Sequence, residues 1–217
     1  MRIYDTCACT DRDLRAPRDF LMEQPVPTST NEPSPRFWHS AAAHEGKLYI
    51  RGGNTPDFES TGRQELASTI EQFDPASNVW CKLKTKGTPH PGLSGVVCVT
   101  FEDHLFAYGG FDGEELHNTL SQLCMKTLTW SQLSGSAESA GGPLKKDACG
   151  MVHFHGDKLA LVGGYAAQPN GPVQPGSTFI PNTRSAKEEG WTNEIHVFSI
   201  SEGMCYSYLS LECNHWC

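Results

Sequence analysis

The sequence predicts an all-β fold made of about three repeated units, each of four antiparallel strands. Three observations carry this reading. Gly52-Gly53, Gly109-Gly110 and Gly163-Gly164 each close a short apolar run (KLYIRGG, HLFAYGG and KLALVGG), at intervals of 57 and 54 residues. Self-similarity at a fixed period of this length marks a repeat architecture. Segments such as TIEQF and EIHVF alternate apolar and polar residues, as half-buried strands do. Finally, 21 Gly and 14 Pro among 217 residues signal many turns and hence many short strands.

Each element follows in order. Residues 1–33, with Pro17, Pro25, Pro27 and Pro33, are expected to be a poorly ordered leader. Three units then occupy about 34–86, 87–140 and 141–205. Each opens with a hairpin: HSAAAH, GVVCVTF or CGMVHF, a turn residue (Gly46, Asp103, Asp157), and the run that ends in the glycine pair. Ser68, Asn118 and Asn193 open the second halves, with Phe73, Leu123 and Phe198 five residues later. Seven residues beyond these stand Trp80, Trp130 and, out of pattern, Cys205. The gap from glycine pair to third strand is 15, 8 and 29 residues. The longest gap, rich in Pro, Gly and Asn, is expected to be an ordered loop with mobile parts and no helix. Insertions of this kind fall on loops, often on a binding face. Residues 206–217 form an off-pattern tail.

With 38% hydrophobic and 19% charged residues, the chain can build a packed core, which excludes wholesale disorder. A formal charge of −8 argues against a dedicated nucleic-acid or anionic-membrane surface, since both need clustered cations. No apolar run approaches the roughly 18–20 residues of a membrane helix. The charged N-terminus lacks the apolar stretch of a signal peptide. Cytosol or nucleus is the expected compartment. The nine cysteines contain no CxxC and read mostly as reduced apolar fillers.

The glycine pairs in register, with Trp80 and Trp130 in register after them, resemble the kelch repeat over about Ser34 to Cys205. The resemblance implies a partial kelch β-propeller, with one four-stranded blade per repeat. Glycine would let backbones approach where blades crowd, and tryptophan would wedge between neighbouring sheets. Rings of this kind close with 4–8 blades, so three units leave two sheet faces uncovered. That implies a partial chain, an alternative transcript or an inaccurate gene model. Closure by a homodimer is a further possibility.

Three stretches are similar to one kelch subgroup, the kelch domain-containing substrate receptors of cullin-RING ubiquitin ligases. They are GLSGVVCV (Gly92 to Val99), GPLKKDACGMVHFHGDKLALVGGY (Gly142 to Tyr165) and GWTNEIHVF (Gly190 to Phe198). In that subgroup the top of the propeller takes a C-terminal degron, and a helical tail binds elongin and cullin. The resemblance carries Tyr165 and Trp191 over as pocket aromatics. Lys146 belongs to a Lys-Asp pair that the subgroup shares. Asn54 stands where the subgroup has an aromatic, Ala148 and Glu189 where it has basic residues. The arginines that clamp a peptide carboxylate belong to later blades. As written, the chain is therefore not expected to bind a C-terminal degron tightly. LSLEC, Leu209 to Cys213, has only a faint likeness to an elongin-binding box.

The expected function is thus a protein-binding kelch module, with a peptide ligand at Tyr165, Trp191, Lys146 and Asn54. The finer expectation is substrate recognition for a cullin-RING ligase. The alternatives are a cytoskeletal or chromatin-associated scaffold, or a truncated product without activity. No GxSxG, HExxH, P-loop or dinucleotide fingerprint is present, so no catalytic residue, metal or cofactor is assigned. Plainer roles compete at several positions. Tyr165 and Trp191 can serve packing, and His153 and His155 read as structural rather than metal-binding. Cys205, Cys213, His215 and Cys217 lack the spacing of a standard zinc finger. Lys145-Lys146 reads as a solvated loop. Arg36 and His39 are expected to bond loop backbone.

Overall fold

A computed structural model describes residues 32–56, 63–134, 142–171, 173 and 176–207. The expected leader up to residue 31, and Cys213, His215 and Cys217 of the tail, lie outside the described residues.

Each repeat contributes one blade of four antiparallel strands. The first holds β1 (Ser40–His44), β2 (Lys47–Arg51), β3 (Thr69–Asp74) and β4 (Val79–Lys84), in that order. A short helix α1 (Arg63–Ser68), not anticipated from the sequence, leads into β3. The second sheet holds β5 (Lys86–Gly87), β6 (Val97–Phe101), β7 (His104–Tyr108), β8 (Leu120–Cys124) and β9 (Thr129–Ser134). Within it, β5 lies parallel to β9 and the other pairings are antiparallel. The third repeat contributes β11 (Gly150–His155), β12 (Lys158–Val162), β16 (Ile195–Ser199) and β17 (Met204–Ser207). β6 touches both β1 and β11, so the opening strand of each blade lies innermost.

The strand period of two divides the second blade between its neighbours. Leu105, Ala107, Leu123 and Trp130 pack with Tyr49 and Ile70 of the first blade. The alternate residues Phe106, Tyr108 and Leu120 pack with Met151, Leu159, Leu161 and Phe198 of the third. Phe73↔Trp80, Leu123↔Trp130 and Phe198↔Cys205 are equivalent cross-strand pairs. Trp130 is the wedge the sequence predicts, buried under the Arg51 guanidinium, which lies 5.1 Å from the ring centroid. At the next interface the exposed Cys205 stands in the tryptophan's place and lines an open pocket with Tyr108, Leu120, Met151, Leu161, His196 and Phe198.

The glycine pairs work between blades. Gly52 and Gly109 have φ of +66° and +68°, and a Cβ on either would collide with the carbonyl oxygen of Leu93 or Lys146 in the segment leading into the next blade. Their partners donate to those same oxygens, Gly53 N to Leu93 O at 2.7 Å and Gly110 N to Lys146 O at 2.8 Å. A second chain of backbone bonds links the same segments. Trp38, Gly95 and Ala148 are equivalent residues, all left-handed (φ 57°, 67° and 47°). Gly95 N donates to Trp38 O, and Ala148 N to Gly95 O, each at 2.9 Å.

The long third insertion is not a loop, as the sequence reading had it. It forms β13 (Tyr165–Ala167), β14 (Phe179–Pro181) and β15 (Glu189–Thr192), which join β10 (Lys146–Asp147) in a fourth sheet of order β10-β13-β15-β14. Three-residue strands whose partners stand some 25 residues apart leave no local alternation to read. On the two outer sides of the arc Leu48 and Val79 are exposed on the first blade, and Val152, Phe154, Val162, Ile195 and Met204 on the third.

Candidate functional site

The residue after each glycine pair makes the same bridge in each repeat. Asn54 pairs with Phe37, Phe111 with Ser94, and Tyr165 with Asp147. Asn54, Phe111 and Tyr165 are thus equivalent and share one end of the arc, where the fourth sheet also stands.

That sheet has two distinct faces. Lys146, Ala166, Gly190 and Thr192 point into the body and are buried. The opposite face carries a row formed by Asp147, Tyr165, Trp191 and Ile180, each paired with the next across the strands. Glu189, two residues before Trp191, shares this face, because side chains alternate along a strand. The Tyr165 and Trp191 rings meet edge to face, with centroids 5.7 Å apart and planes at 69°. Asn182 Nδ2 donates to the Tyr165 hydroxyl at 3.0 Å and fixes that ring. Trp191 is 52% exposed and Ile180 58%, in a protein where most large apolar groups of the sheets are covered. A second aromatic, Phe111, lies under the Lys187 ammonium at 4.7 Å, and that ammonium also donates to Glu114 O at 3.1 Å. The insertion of the third repeat therefore leans on the second.

The structure brings together two of the four residues singled out from the sequence, Tyr165 and Trp191. Asn54 stands two repeats away, half-buried, with its backbone bonded to Phe37. Lys146 is a correction. It is neither in a solvated loop nor at the surface, but wholly buried, with Nζ 2.9 Å from Glu194 Oε2. Burial would raise the Glu194 carboxyl, but the His196 ring and the Lys146 ammonium outweigh it and hold the group below the usual carboxylate range. Lys145 pairs with Glu115 at 2.8 Å. The sequence reading missed Phe111, although its place after the second glycine pair was a usable signal. It also missed Asp147 as a neighbour of the aromatic pair. Burial and the nearby Glu189 raise the Asp147 carboxyl to about 6. His153, as expected, is structural: its ring stacks on Phe101 at 4.2 Å and bonds Gly156 O at 2.7 Å. Arg36 bonds the carbonyls of Ser34 and Gly52 at 3.2 and 3.1 Å.

A propeller arc of four-stranded blades, with glycine pairs bridging the blades and aromatics raised at one end, defines the kelch class of protein-interaction folds. The chain belongs to this class. Residues 20–208 match the family described as the KLHDC2/KLHL20/DRC7 Kelch-repeats domain. Members of the kelch-repeat family generally bind proteins rather than catalyse reactions, which supports a protein-binding module here. Among curated relatives, the chain is 30% identical over 159 residues to acyl-CoA-binding domain-containing protein 4 of Arabidopsis thaliana, covering 70% of this chain and 23% of that protein. It is 23% identical over 174 residues to kelch domain-containing protein 2 of Rattus norvegicus, covering 76% of this chain and 42% of that one. It is 27% identical over 129 residues to kelch domain-containing protein 10 of Xenopus tropicalis, covering 56% of this chain and 30% of that one. The chain thus spans less than half the length of each of these relatives.

Proposed function

We propose that the end of the arc bearing Tyr165 and Trp191 binds an extended peptide segment of a partner protein, and that this recognition serves a cullin-RING ubiquitin ligase. The observation that carries the first part is the preset aromatic pair. Tyr165 is braced by Asn182, while Trp191 stays exposed on a sheet that packs its other face on the body. A ring held rigid before binding gives contact area with little loss of conformational freedom, as binding hot spots do. Phe111 and Asn54 extend the same end, and Lys146 acts from beneath as the buried partner of Glu194.

The ligase role rests on the likeness of the Gly142–Tyr165 and Gly190–Phe198 segments to the kelch substrate receptors. In that reading elongin and cullin are partners of a longer form, and the protein works in the cytosol or nucleus. A second copy of the chain is the proposed cover for the exposed outer faces, giving a six-blade ring. Light scattering checks this last point: a monomer at micromolar concentration refutes it.

Binding of a fluorescent peptide pool to the full chain tests the recognition. Trp191→Ala and Tyr165→Ala are expected to abolish binding while far-UV circular dichroism stays unchanged. Undiminished binding by both variants overturns the site. Co-purification of elongin and cullin with the longer form expressed in cells tests the ligase role, and their absence from that complex counts against it.

A further inference from the structure

The chemistry of the Tyr165–Trp191 face specifies a charge. Asp147 stands beside Tyr165 in the bridging row, and Glu189 lies on the same face two residues from Trp191. Among the described residues neither carboxylate has an ion-pair partner, and the cations nearest in sequence are engaged elsewhere. Lys145 is held by Glu115, Lys146 by Glu194, and Lys187 lies over Phe111. The Asp147 side chain also sits close over Gly95 of the second blade, where a Cβ would come within 3.0 Å of Oδ2. Two uncompensated carboxylates therefore flank an exposed indole and a braced phenol.

We propose that this face binds a lysine or arginine side chain of an extended peptide, with Asp147 and Glu189 taking its charge and Tyr165 and Trp191 flanking its alkyl stem. The inference rests on the peptide-binding reading above and names the residue that the site selects. Three physical effects favour it. Aromatic faces attract cations, most strongly where water is excluded. Long basic side chains lay apolar stems along such rings while the head group reaches a carboxylate. Burial and the Glu189 charge both disfavour the Asp147 carboxylate, and an incoming cation relieves both. A peptide carboxylate would meet the opposite of what it needs. The overall charge of −8 steers a basic segment toward this molecule.

The test is selection of a yeast-displayed library of random dodecapeptides on the full chain, followed by anisotropy titration of the recovered sequences. Lysine and arginine are expected to be enriched over the unselected library. Replacing the key Lys by norleucine, which keeps the stem and removes the charge, is expected to weaken binding about tenfold. The same replacement is expected to change little against Asp147→Asn with Glu189→Gln. Circular dichroism confirms that the double variant is folded, and Glu189→Gln alone, at a half-exposed site, serves if it is not. Recovered peptides that need Trp191 but show no basic enrichment, or bind equally well with norleucine, overturn the cation site and leave the peptide-binding reading standing. Peptides that bind Trp191→Ala undiminished, or a selection that yields no binder, overturn both.

Discussion

Trp130→Ala removes the wedge between the first two blades, and its cost can be worked from the contacts. The ring is 3% exposed and packs with Tyr49, Ile70, Leu105 and Leu123. Truncating a buried Trp to Ala costs about 3–5 kcal/mol. The Arg51 guanidinium, itself buried and bonded to Gly92 O at 2.8 Å and His90 O at 2.6 Å, loses the aromatic face 5.1 Å away. A desolvated cation–aromatic contact adds about 2 kcal/mol. The total, about 5–7 kcal/mol, is most of the stability of an ordinary domain. Urea unfolding followed by far-UV circular dichroism should show either a large fall in midpoint at unchanged slope or a variant unfolded in buffer. Trp130→Phe, which keeps an aromatic wedge, should lose far less. The chain holds its own comparison at the next interface, where the equivalent position carries the small, exposed Cys205 at an open pocket and no wedge. A loss below about 2 kcal/mol in Trp130→Ala would refute the wedge as the main tie between these blades.

Other outcomes follow from single contacts. Gly109→Ala must place a Cβ against Lys146 O at a left-handed φ, so thermal unfolding should show a loss of about 2–4 kcal/mol. Gly46→Ala, at a similar φ but with open space around it, should lose only about 1 kcal/mol. Glu194→Gln leaves the Lys146 ammonium buried without its partner and should cost about 3–5 kcal/mol in urea midpoint experiments. Lys146→Met combined with Glu194→Leu should restore most of that loss. His90 is buried, donates to Gly109 O at 2.8 Å and bonds Ser121 Oγ at 3.1 Å. Burial, and then Arg51, depress it from 6.5 to about 3. The folded ring stays neutral where the unfolded one takes a proton, so stability is full above pH 6.5 and falls as the pH drops from 6.5 toward 3. A His90→Gln variant should flatten that fall, and an unchanged slope would assign it to other groups.

Much of the fold was legible because repetition and alternation are local signals. The glycine pairs fixed three hairpins, and TIEQF and EIHVF became β3 and β16 within a residue or two at their ends. The seven-residue step from Phe73 to Trp80 is a cross-strand pair, as is that from Leu123 to Trp130. The site was less legible. Tyr165 and Trp191 came from likeness to a family, and their contact depends on strands of only a few residues that pair across the insertion. Lys146 was misread because a basic pair in sequence reads as solvated, whereas β10 turns Lys146 inward toward Glu194, 48 residues on.

The sequence by itself determined the repeat, its four strands and the need for glycine after the second of them. These follow from side-chain period and backbone conformation, which each residue carries wherever the chain goes. Only the tertiary structure decided which carbonyl each glycine meets, that Arg51 caps Trp130 from another blade, and that Asp147 and Glu189 flank the aromatic pair. Those facts depend on the packing of segments distant in the chain, where burial and charge act through space and leave no pattern along the sequence.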